Sequence, residues 1–151
     1  MKIFMALSII ALSCHVTAQN SLPVPSADLI EKTVVAALTF QQNDLPSLQK
    51  AQSNFTAEGW AEFMKKMQGF LDTNGAPTFT STFVPAAHAT ITKFEDGITN
   101  AKLPGTLTQT HDSSKTTYRL RIEVQTVGTP PKISHLEQIT CFGAAAAKYC
   151  M

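Results

Sequence analysis

The chain has 151 residues, 12 basic and 11 acidic side chains, a net charge of +1 and 44% hydrophobic content. That suits one ordinary domain with enough apolar residues for a real core. Lys65-Lys66 is the one cationic cluster, and a charge balance this even excludes nucleic-acid binding, which needs a basic face to neutralise phosphates.

Lys2, the apolar run Ile3–Leu12 and Val16-Thr17-Ala18 before Gln19 follow the three-part grammar of a secretory signal peptide. The run is too short for a membrane span, which takes about 20 apolar residues. Residues 1–18 are therefore expected to be cleaved, leaving a single domain over residues 19–151 in which basic and acidic side chains balance. An uncleaved anchor is one alternative. A lipoprotein is another, although Ala11-Leu12-Ser13 before Cys14 makes a poor lipobox.

Ser26 is placed to cap a first helix, with Asp28 and Glu31 where the helix dipole favours acids. Ile30, Val34, Ala37 and Leu38 keep helical spacing, and the pattern predicts an end near Gln42-Asn43. Asp44 and Pro46 restart a short helix carrying Leu48 and Ala51. Thr56 caps a third, in which Trp60, Phe63, Met64, Met67 and Leu71 form the strongest amphipathic stripe of the chain. Asp72–Pro77 ends it.

From residue 78 on the period changes to two. Phe79, Ser81 and Phe83 alternate with polar residues, and Ala87, Ala89 and Ile91 suggest a second strand. Ile98–Thr110 reads as a third, disturbed at Leu103-Pro104-Gly105, where proline implies a bulge or an edge position. His111–Ser114 is a hairpin loop. The cleanest strand follows, with Tyr118, Leu120, Ile122 and Val124 on one face and Arg119, Arg121, Glu123 and Gln125 on the other. Gly128–Pro131 turns the chain into a last strand, Ile133–Cys141. Helices first and antiparallel strands after predict an α+β fold, a helical layer on one face of a curved sheet.

The residues offer little chemistry. His15 falls in the signal, and His88, His111 and His135 are not spaced as ligands. Neither a Gly-x-Ser-x-Gly elbow nor a phosphate-cradling loop occurs. Glu95, Asp96 and Glu123 are candidates for a buried general base between helix and sheet, with solvated surface acids as the plainer reading. Trp60 is the lone tryptophan and reads as core packing or as a binding anchor. Arg119 and Arg121 lie on a polar sheet face that serves as solvent surface or as a subunit contact. Cys141 and Cys150 form an even pair in an oxidising compartment and predict a disulfide, with two free thiols as the alternative; no histidine stands near them at metal-ligand spacing. Asn54-Phe55-Thr56 is formally a glycosylation sequon, explained by its capping role.

Four stretches carry a family resemblance: Asn54–Phe63 with its Phe55-Thr56-Ala57-Glu58-Gly59-Trp60 piece, Gly97–Asn100 leading to Lys102-Leu103-Pro104, Tyr118–Val127, and His135–Ile139. Over residues 36–141 the chain resembles the periplasmic domain of the IcmL/DotI family, inner-membrane components of type IVB secretion systems. The resemblance implies a nuclear transport factor 2-like cone. It implies an oligomerising, non-catalytic scaffold in the periplasm that binds other secretion proteins or itself, without cofactor, metal or nucleic acid. Membrane association would come through partners or an uncleaved signal. Family members usually carry a transmembrane helix before the domain; here a signal-like segment stands in its place, so a free periplasmic relative is expected. A small-molecule-binding or isomerase-like domain using the pocket between helix and sheet, and a secreted effector, are the alternatives.

Overall fold

The computed structural model describes residues 23–71 and 79–141. The signal-like segment, the turn expected at Asp72–Pro77 and Cys150 lie outside the described residues, as does the side chain of Leu71.

Helix α1 spans Ala27–Leu38, and the Ser26 hydroxyl accepts the Leu29 N–H at 3.2 Å as its cap. Ile30, Val34, Ala37 and Leu38 are buried. The helix stops at Leu38, short of the expected end, and Phe40–Gln41 form a two-residue strand, β1. The cause lies in tertiary contacts of the extended form. The Leu38 carbonyl accepts from the Ser81 hydroxyl at 2.8 Å, and Phe40 meets Phe63 and Phe79 with ring centres 6.2 and 5.9 Å away. Helix α2, Leu45–Gln52, starts with Pro46 in its first turn, where the missing N–H costs nothing. Helix α3, Ala57–Leu71, starts where the Thr56 hydroxyl accepts the Gly59 N–H at 3.0 Å. Its stripe places Phe63 and Met67 in the core, with Trp60 and Met64 half-buried beside it.

Five further strands follow: β2 (Phe79–Pro85), β3 (Thr90–Glu95), β4 (Ile98–His111), β5 (Ser114–Val127) and β6 (Lys132–Thr140). The sheet is antiparallel and curled, in the order β1-β2-β4-β5-β6, and β3 also pairs with β4. This is the expected α+β layout. The core lies between the helices and one sheet face, where Leu103, Leu107, Leu120, Ile122, Val124 and Ile133 are all buried. By the strand's two-residue period, the residues between them form an outer face.

Two strand expectations change. The second strand begins at Thr90, not Ala87, because the chain bends away after Pro85: the Ala86 N–H turns to the Pro104 carbonyl at 2.9 Å. Pro104 itself sits in the central strand, in neither a bulge nor an outer edge. One flank of β4 pairs with β3 through residues 98–102 and with β2 through residues 105–111. Pro104 falls between the two partners, so its missing N–H deprives no ladder. The β3–β4 turn has Asp96 and Gly97 at φ 51° and 76°, the left-handed pair that a two-residue hairpin requires.

Helix α3 is docked on β6 by backbone. The Thr56 N–H donates to the Ile133 carbonyl at 2.9 Å, and the Ile133 N–H to the Asn54 carbonyl at 2.8 Å. A Cβ on Gly59 would lie 2.4 Å from the Ile133 carbonyl oxygen. Gly59→Ala, ordinarily harmless or mildly stabilising in a helix, should therefore cost about 2 kcal/mol here, read as a lower urea midpoint with an unchanged slope. A second case concerns Thr99 and Thr126, which face each other across β4 and β5. Both are almost wholly buried, and neither hydroxyl has a hydrogen-bond partner among the described residues. Replacing either with Val should stabilise the fold by about 1 kcal/mol, because the desolvated hydroxyl is removed at constant shape; calorimetry would show a raised melting temperature.

Candidate functional site

Of the candidate side chains singled out in the sequence, the seam between α3 and β6 holds Trp60 and His135. Trp60 packs on Phe55 and Phe63, with ring centres 5.4 and 5.7 Å away, and Phe55 stacks on Phe63 at 5.1 Å. It is thus the half-buried rim of an aromatic cluster. Glu62, one residue before Phe63, accepts from the Lys66 ammonium at 2.7 Å and meets His135 Nδ1 at 3.0 Å. Lys66 also donates to the Leu136 carbonyl at 3.3 Å. These contacts tie helix to strand, and they occupy His135 structurally.

The general-base reading needs room between helices and sheet. Phe40, Phe63, Met67, Phe79 and Phe83, all buried, occupy most of that space; a cavity of about 270 Å³ stays open between α3 and β6, lined by Phe63, Met67 and Leu136 with Lys66, Glu137 and Gln138. Its candidate carboxylates lie elsewhere. Glu95 is exposed and paired with Lys93, Asp96 is in the β3–β4 turn, and Glu123 is on the outer face. His88 meets Glu31 at 3.2 Å and His111 meets Asp112 at 3.5 Å, both at the surface. Among the described residues no three His, Cys, Asp or Glu side chains gather as a metal-holding group.

Arg119 and Arg121 are on the outer sheet face, as the alternation of β5 requires. Arg119 is exposed. Arg121 reaches along the strand to Glu123, at 2.7 Å. Cys141 directly follows β6, its N–H bonded to the Arg119 carbonyl at 3.0 Å; Cys150 is outside the described residues.

Sequence reasoning missed the trough next to Arg121. Its volume is about 550 Å³. Two cross-strand rows make it. One runs Lys102, Glu123, Glu137 over β4, β5 and β6; the other runs Lys93, Asn100, Gln125, His135 over β3 to β6. Lys102 lies 3.7 Å from Glu123. The only early signal was the polar alternation of β5, because the partners come from strands up to 44 residues apart and meet only once the register is known.

Among solved structures, an IcmL-like type IV secretion system protein from Legionella pneumophila subsp. pneumophila str. Philadelphia 1 is similar over 78% of this chain and 91% of its own, with a TM-score of 0.62 at 12% identity. The periplasmic domain of DotI is similar over 74% and 91%, with a TM-score of 0.58 at 21% identity. A periplasmic fragment of TraM gives 0.49 at 12% identity, over 75% and 93%. No protein-family model matches the sequence, and no curated protein does. At these identities the likeness is one of fold, and at that level the resemblance read from the sequence is borne out.

The seam also sets a pH dependence. The Lys66 ammonium, and after it His135, holds the Glu62 carboxyl below its ordinary value of 4.5. A lowered folded-state value means that the contribution of Glu62 is fully present above the ordinary value and is lost as pH falls through the folded one. Glu62→Gln should therefore flatten the fall in stability between about pH 5 and about pH 3. Urea titrations of both proteins across that range check it.

Proposed function

We propose that this chain is an exported, non-catalytic protein of the bacterial envelope that works by binding other proteins, in or beside a type IVB secretion apparatus. The single observation that carries the reading is the shared fold with an IcmL-like type IV secretion protein and the DotI periplasmic domain, over 78% and 74% of the chain. The kinship to nuclear transport factor 2-like cones rests on the same layout of helices before a curled sheet. Export to the periplasm rests on residues 1–18, whose pattern is that of a cleaved signal. Among the described residues no helix is long and apolar enough to cross a membrane. A bridge from Cys141 to Cys150, nine residues on, would staple the chain's last segment to the end of β6. It is supported by the disulfide-bonded state of Cys141 and by the oxidising compartment.

The use of the polar side chains agrees with a binding role. Glu62, Lys66 and His135 hold a helix to a strand, and buried aromatic rings occupy most of the space between helices and sheet. Binding through surfaces is what such a domain has to offer.

Fractionation of the native host tests the proposal. The mature protein should be recovered from the periplasm with Gln19 as its first residue, and crosslinked envelope complexes should contain type IV secretion components. A strict monomer without such partners, or a protein found only in culture supernatant, would overturn it.

A further inference from the structure

The outer-face trough has a charge layout that its neighbours do not cancel. Arg121 satisfies Glu123 at 2.7 Å, which leaves Lys102 loosely held at 3.7 Å from the same carboxylate. Glu137 stands directly opposite Glu123 on the next strand. Like charges in that position cost stability, and Glu137 has no ion pair within 4 Å among the described residues. The trough is therefore cationic over β4 and anionic over β6. Between and beside these ends lie two amides, Asn100 and Gln125, paired across β4 and β5. Both can donate to and accept from a peptide backbone.

We infer that this trough binds an extended segment of a partner protein carrying one acidic and one basic side chain. The acidic group lies over Lys102 and the basic group over Glu137, while the Asn100 and Gln125 amides hold the backbone between them. The dimensions set the spacing. Lys102 and Glu137 are two strands apart, about 10 Å, which an extended chain covers in about three residues. The volume of about 550 Å³ lies in the range that a short peptide fills. The Lys102–Glu123 pair at the site is long and half-exposed, hence weak, so it yields to a ligand. This inference rests on the protein-binding reading above and gives it a surface and a chemistry.

The probe is the end-blocked peptide Asp-Gly-Gly-Lys, compared with Asp-Gly-Gly-Asp and Lys-Gly-Gly-Lys, titrated into the full chain by NMR. The mixed peptide should bind with a dissociation constant on the order of 1 mM and shift the side-chain amides of Asn100 and Gln125. Each like-charged peptide should bind about tenfold more weakly. Glu137→Lys, an exposed change that leaves the core intact, should move the preference to Asp-Gly-Gly-Asp. An unchanged order of affinities in Glu137→Lys, or shifts centred away from Asn100 and Gln125, overturns the inference. The two proposals fail separately. If secretion partners co-purify equally with Glu137→Lys, the trough is not their site, and the functional reading survives. If the peptides behave as expected but no partner is recovered, the functional reading falls, and the trough stands.

Discussion

The arrangement depends on how closely α3 approaches β6. A sheet edge carries unpaired N–H and C=O groups that must be met by something. Here Asn54 and Thr56 bracket Ile133 with two backbone hydrogen bonds, and the helix starts at once, capped by the same Thr56. Gly59 then lets the helix backbone come down onto the Ile133 and Ser134 carbonyls. Once that contact is made, Phe55, Trp60 and Phe63 form one aromatic cluster, which Phe40 and Phe79 extend through the core to β1 and β2. The same approach places Glu62 and Lys66 within reach of His135 and the Leu136 carbonyl. A larger residue at position 59 would hold the helix off, and each of these contacts would lengthen together.

The second constraint is β4. Among the described strands it alone has three partners, because Pro104 marks where one flank passes from β3 to β2. A bulge in β3 at Ile91–Lys93 and another between Gln125 and Thr126 bend the strands on either side. The second bulge also solves a core problem. Ile133 and Leu136 are three residues apart, yet both are buried, because the extra residue resets the alternation between them. The outer face at that end becomes the trough.

Much of this layout was legible in the sequence because it is local. Ser26 and Thr56 announced two helices, and the alternation from Tyr118 to Val124 announced β5. The Phe-Thr-Ala-Glu-Gly-Trp run carried the resemblance, and the structure gives its physical content as the docking of a helix on a sheet edge. What escaped is non-local. Helical periodicity ran on past Leu38, and only contacts with Ser81, Phe63 and Phe79, across 23 to 43 residues of chain, pull Phe40 into a strand. Pro104 looked like an edge because the sequence cannot show that β4 changes partner beside it. Arg119 and Arg121 were noticed because they are neighbours in the chain. Glu137 and Lys102 were passed over because each alone is an ordinary surface charge.

The edges also bear on where recognition falls. On the far side, β1 is two residues long; beyond it the Phe83 N–H is taken by the Thr39 hydroxyl at 3.4 Å, and Pro85 has no N–H to offer. The free side of β3 carries Lys93, Glu95 and a bulge, all poor templates for an added strand. The edge of β6 is engaged at Ile133. Strand addition is thus discouraged at each of these places, while the inner face is consumed by the core. Of the surfaces formed by the described residues, the outer face combines concavity with charge that its own neighbours leave unbalanced. A domain built to dock proteins without joining their sheets would be expected to keep its cost there, in a carboxylate pair that the fold by itself does not need.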